Sequence, residues 1–260
     1  MKNVSSLLGI LILSVIGTTN ALADGGACSG LPTYAELKSA LQTSVTTDTS
    51  GFDLPMWATV VNRDGVVCAV AYSGENRGSQ WPGSRVISAQ KANTANAFSL
   101  DGLALSTGNL YSAVQGPDAS NNDLGGSLYG LQLSNPVDPA VAYRGNPSLA
   151  GTRADPMVGF RIGGINVFGG GLALYNSNHQ VIGGLGLSGD TSCADHNQAW
   201  RVRHALSLDY VTGGVSGDDA RPDNIVYDSI NGNHNLKTDG WEQPTCVGTA
   251  NPSILPAVRQ

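Results

Sequence analysis

The chain has 260 residues and a formal net charge of −6, with only 13% of its residues charged. It contains no basic run, which argues against nucleic acid or an anionic membrane surface as a partner. After the first 23 residues, no segment stays apolar for the roughly 20 residues that a membrane span requires.

Lys2 is the only charged residue before Asp24. An apolar run follows from Leu7 to Ile16, and Ala21-Leu22-Ala23 makes an A-x-A site. Together these read as a cleavable secretory signal over residues 1–23, so an exported protein, periplasmic or extracellular, is expected. Cleavage leaves 237 residues (260 less 23), with 13 basic against 20 acidic side chains. Cys28, Cys68, Cys193 and Cys246 then all enter an oxidising space, where an even number favours two disulfides. Three pairings are possible. Linking neighbouring segments favours Cys28–Cys68 and Cys193–Cys246. No C-x-x-C occurs, which speaks against a thioredoxin-like redox site and c-type haem attachment.

Thr33 and Glu36 stand at capping-box spacing, and Tyr34, Leu37, Leu41 and Val45 recur at helical intervals. A helix is predicted over about 34–45. Two β-prone runs, Met56 to Val61 and Val66 to Tyr72, flank Asn62-Arg63-Asp64-Gly65 and predict a hairpin. Ser84 to Phe98 reads as an alanine-rich helix. From Asp101 to Pro156 the chain is rich in Gly, Asn, Ser, Asp and Pro, and reads as an elaborated insertion with short ordered pieces. Strand character returns at Gly164 to Phe168 and Leu172 to Tyr175. A turn at Asn176 to His179 then leads into Val181 to Ser188. One face of that last strand carries Ile182, Gly184, Gly186 and Ser188, small enough for another backbone to approach. Asp190, Thr191 or Ser192 can cap a third helix running to about Leu208. The expected organisation is one α+β domain over residues 24–208, with the insertion at about 101–156, then a Gly-, Asp- and Pro-rich extension over 209–260.

Three stretches together resemble the GlcG/HbpS-like family of haem-degrading or haem-binding proteins. They are the hairpin Ala58 to Gly65, the helix with Lys91-Ala92-x-Thr94-Ala95, and Gly170 to Gly189 followed by Thr191 and Asp195. Two departures are Ala173, where the family usually has Pro, and Asp190, where it usually has Gly. The resemblance implies a profilin-like sandwich, an antiparallel sheet with packed helices, and homo-oligomers. It also implies haem or another tetrapyrrole as cofactor, with weak iron-dependent redox or haem-degrading activity in reach. A non-catalytic small-molecule-binding or assembly module on the same fold is the alternative.

His196, Trp200 and His204 recur every four residues on one helix face. The two histidines lie about 12 Å apart along the axis and cannot share one metal ion. A haem needs an apolar slot, cations for its propionates and usually one axial ligand. The expected set is His196 as iron ligand, Trp200 as wall, Lys91 or Arg85 as cation, and Asp195 paired with Lys91. Ordinary hydrogen-bonded histidines and a structural ion pair explain the same residues. Gly186-Leu187-Ser188-Gly189-Asp190 lacks the last glycine of a hydrolase nucleophile elbow.

Overall fold

The computed structural model describes residues 26–117, 125–227, 240–248 and 251–260. The secretory segment 1–23 lies outside the described residues, as do the Asn- and Asp-rich clusters at 118–123 and 231–235.

Helix α1 (Tyr34–Thr47) opens on the expected capping box, with the Glu36 carboxylate accepting from the Thr33 N–H at 2.8 Å. Its buried side includes Leu37, Ala40 and Leu41. Strands β1 (Trp57–Asn62) and β2 (Val67–Tyr72) form the hairpin. Asn62 Oδ1 accepts from the N–H groups of Asp64 and Val66, and Gly65 takes a φ of 77°, a left-handed value open to glycine. Helix α2 (Ser84–Phe98) covers the predicted range. The insertion holds single helical turns, among them α3 (Leu131–Ser134) and α4 (Pro139–Ala142).

Gly164 to Phe168 is not a strand. Gly163 and Gly164 take φ values of 63° and 79°, and side chains of α2 satisfy the backbone that a neighbouring strand would have paired. Asn93 Nδ2 donates to the Gly164 carbonyl at 2.9 Å, and Thr94 Oγ1 accepts from the Asn166 N–H at 3.0 Å. Strands β3 (Gly171–Tyr175) and β4 (Val181–Ser188) make the second hairpin. Thr191 caps α5 (Ser192–Ala205), accepting from the Ala194 N–H. This helix ends at Ala205 rather than Leu208, because Ser207 turns left-handed at φ 57°. Two short parallel strands, β5 (Val226–Tyr227) and β6 (Glu242–Gln243), lie in the C-terminal extension.

The four long strands form one antiparallel sheet in the order β2-β1-β4-β3. Helices α1 and α5 pack on one face over Ala58, Val60, Leu172, Leu185 and Leu187. Helix α2 packs on the other, and Val61, Val70, Ala89 and Ala92 share the core there. The α+β class read from the sequence is therefore the observed one. On the α2 face Gly186 stands opposite both Thr59 and Gly171. A Cβ on Gly186 would lie 1.9 Å from the Ser88 carbonyl, and one on Gly184 2.2 Å from that of Ala92. The helix backbone thus rests directly on the glycine face. Disulfides join Cys28 to Cys68 and Cys193 to Cys246, the second tying the extension to the first turn of α5.

Candidate functional site

The close approach of α2 to β4 carries Lys91 across the sheet end to the start of α5. Its side chain is 1% exposed. Lys91 Nζ donates to Asp195 Oδ2 at 2.6 Å and to the Leu187 carbonyl at 3.0 Å. Asp195 Oδ1 accepts from the N–H groups of Gly189 and Asp190 at 3.0 and 2.9 Å. A carboxylate in the first turn of a helix also meets the positive end of its dipole. Burial pulls the Lys91 ammonium below its ordinary pKa and pushes the Asp195 carboxyl up to about 6, while each partner's charge opposes the shift of the other. The pair therefore knits α2, β4 and α5 together. Asp190 also has work to do: its carboxylate accepts from the N–H groups of Phe52 and Leu54, fixing the loop between α1 and β1.

His196 follows Asp195 on α5 and is fully buried. Its Nε2 accepts from the Ile225 N–H at 3.1 Å, with the Asn224 side chain at 3.2 Å. Its Nδ1 is buried without a hydrogen-bond partner. Burial holds the imidazole pKa down at about 4, so the ring is neutral at physiological pH. Trp200 packs beside it at 6.0 Å between ring centroids and donates from Nε1 to the Pro256 carbonyl. His204, the next residue of that face, bonds Asp209 Oδ2 at 2.7 Å.

The C-terminal extension encloses this part of α5. Asp223 forms a fully buried bidentate pair with Arg203 at 2.5 and 2.8 Å. Gln243 Nε2 donates to Ser192 Oγ at 2.7 Å, and Gln243 Oε1 accepts from the Gly169 N–H at 2.8 Å. The Cys193–Cys246 bond closes the arrangement. Arg85 stands apart, clasped bidentately by Asp155 at 2.8 and 2.5 Å and bonded to the Ala142 carbonyl.

The structure therefore brings four of the five expected residues together, Lys91 with Asp195 and His196 with Trp200, and places Arg85 elsewhere. It gives each an internal partner. Among the described residues, surface clefts include one between α1 and the end of α5, one beside the loop 143–156, one along 211–222, and one at 100–102 with 180–182. All four are lined without Lys91, Asp195, His196 or Trp200, and Arg85 alone reaches one. Sequence reasoning missed the Arg203–Asp223 and Arg85–Asp155 pairs. Their partners are distant in sequence, and only the two unpaired arginines on helices gave a signal. Ser188 ends a strand paired antiparallel on both sides, which is not the setting of a hydrolase elbow.

A family model described as haem degrading protein HbpS-like matches residues 34–202. No curated protein matches the chain. Among solved structures, Klebsiella pneumoniae protein ORFY is 26% identical, with a TM-score of 0.43, covering 68% of this chain and 90% of its own. A PduOC:heme complex is 21% identical, with a TM-score of 0.43, covering 66% and 89%. A double mutant of Streptomyces reticuli HbpS is 14% identical, with a TM-score of 0.38, covering 72% and 95%.

Proposed function

The chain belongs to the HbpS-like family, and on that premise we propose that it is an exported small-molecule-binding protein whose ligand is haem or a similar tetrapyrrole. The observation that carries this reading is the family match over 34–202, which takes in both the Lys91 helix and the segment leading to Asp195. Two disulfides support an oxidising compartment.

The expected residues do not fit a haem in the folded form. The Lys91 ammonium is spent on Asp195, and Arg85 on Asp155. His196 Nε2 is held by Ile225, and Nδ1 faces the packed interior. We therefore assign no chemistry to iron at this site. His196 would hold the iron only in a form in which Asn224 and Ile225, which lie beyond the family match, have moved off its ring. Haemin titration of the purified protein tests the reading. A saturable Soret band is expected, shifted in His196→Ala. Absence of any Soret uptake, with disulfides intact or reduced, would overturn it.

The second reading is an assembly module. The glycine face of β4 is used within the chain, because α2 covers it. On this reading Leu128, Tyr129 and Leu133 of the insertion, 37%, 60% and 82% exposed, would meet in a homo-oligomer. Light scattering that shows a monomer at working concentration would rule this out.

A further inference from the structure

Beside the insertion, a cleft of about 190 Å³ is lined by three arginines, Arg77, Arg85 and Arg144, and by no acidic residue. This is unexpected in a chain of net charge −6. Asp155 neutralises Arg85, whose guanidinium also holds the Ala142 carbonyl at 2.9 Å. That clasp fixes the turn from which Tyr143 and Arg144 project. Arg77 and Arg144 have no acidic partner among the described residues, so the cleft carries two uncompensated positive charges. Arg144 lies over the Phe160 ring at 3.4 Å, which orients its guanidinium. The lining also includes the buried Trp57 and three prolines, Pro82, Pro147 and Pro156, which make it apolar, and Tyr143 stands 74% exposed. Gly145 makes the wall close: at φ 70° a Cβ there would lie 2.7 Å from Pro156.

We propose that this cleft binds a small planar carboxylate, its ring against the apolar lining and its carboxylate on Arg77 and Arg144. Guanidinium groups present paired N–H donors in the spacing of a carboxylate's two oxygens. The volume limits the ligand to about one ring, because pockets for drug-sized ligands run to roughly 300–1,000 Å³. A whole tetrapyrrole is too large, so the site stands independently of the haem reading.

Calorimetric titration of the full chain with benzoate, benzamide and inorganic phosphate tests the proposal. Benzoate is expected to bind saturably, and about tenfold or more tightly than either probe that lacks the charge or the ring. Arg77→Gln and Arg144→Gln should each weaken benzoate by a similar factor, with circular dichroism unchanged. Arg77 is exposed, so its variant is expected to fold. Failure of benzoate to bind, equal binding of benzamide or phosphate, or full affinity in both variants would each overturn the assignment.

Discussion

Replacing Lys91 by Met removes the ammonium and keeps an unbranched stem of similar length, so the perturbation is mainly electrostatic. Asp195, with a side chain 3% exposed, then keeps only the N–H groups of Gly189 and Asp190. Breaking a buried pair by removing one partner costs about 3–5 kcal/mol, because the remaining charge stays desolvated. Burial already pushes the Asp195 carboxyl up to about 6, against the pull of Lys91, and losing Lys91 raises it further. The sign follows from linkage. With a folded pKa above the unfolded one, the penalty grows as pH rises from the unfolded value to the folded one, and fades on acidification. Each unit between the two values is worth about 1.4 kcal/mol. Urea unfolding followed by tryptophan fluorescence, disulfides intact, should show a deficit of about 3 kcal/mol or more near neutral pH. That deficit should shrink by half or more at about pH 4.5. A deficit under about 1 kcal/mol, or one equal at both pH values, would refute the reasoning and leave only lost packing.

Gly186→Ala should destabilise by about 3 kcal/mol or more, since the new carbon would press on the Ser88 carbonyl and lift α2 from the sheet. Gly102→Ala, where a Cβ meets nothing within 4 Å, should stay within about 0.5 kcal/mol in the same thermal melts. His196 is held neutral with a pKa near 4, so its contribution is complete above the unfolded value of 6.5 and is lost as pH falls through that range. Between neutral pH and about pH 4.5, His196→Asn should therefore lose less stability than wild type, by about 2–3 kcal/mol in urea midpoints; parallel profiles would show that the ring is not buried neutral. Cys193→Ser with Cys246→Ser should cost up to about 4 kcal/mol in chain entropy, given a separation of 53 residues. It should also speed hydrogen exchange at Ile225, and unchanged protection there would mean that the extension holds without its bond.

The regular elements were legible because their signals are local. The Thr33–Glu36 box, the Asp64-Gly65 turn and the alanine spacing of α2 each act within a few residues, and the structure follows them closely. The glycines of β4 announced a close neighbour, though not that α2 of the same chain would be it. Gly164 to Phe168 misled because its apolar run carries β-propensity, while side chains of α2 seventy-odd residues earlier decide its hydrogen bonds. The site was legible only as a list of residue types. Lys91 and Asp195 do meet, but whether a charged pair faces a ligand or closes a core depends on what covers it. Next to the pair, His196 is closed off by Asn224 and Ile225, from a segment whose composition reads as loop. Arg85 looked like a free cation until Asp155 of the insertion was in place.

The two disulfides pair the first cysteine with the second and the third with the fourth. On the proposed export route, a chain crosses the membrane amino terminus first. Cys28 and Cys68 then reach the oxidant together while Cys193 is still more than a hundred residues behind. The first bond can close when only one partner is on offer, and the second when no other thiol remains. A sequential order of this kind leaves little for an isomerase to correct. An oxidase acting on emerging thiols would suffice for maturation, whereas a crossed pairing would have required reshuffling of bonds formed too early.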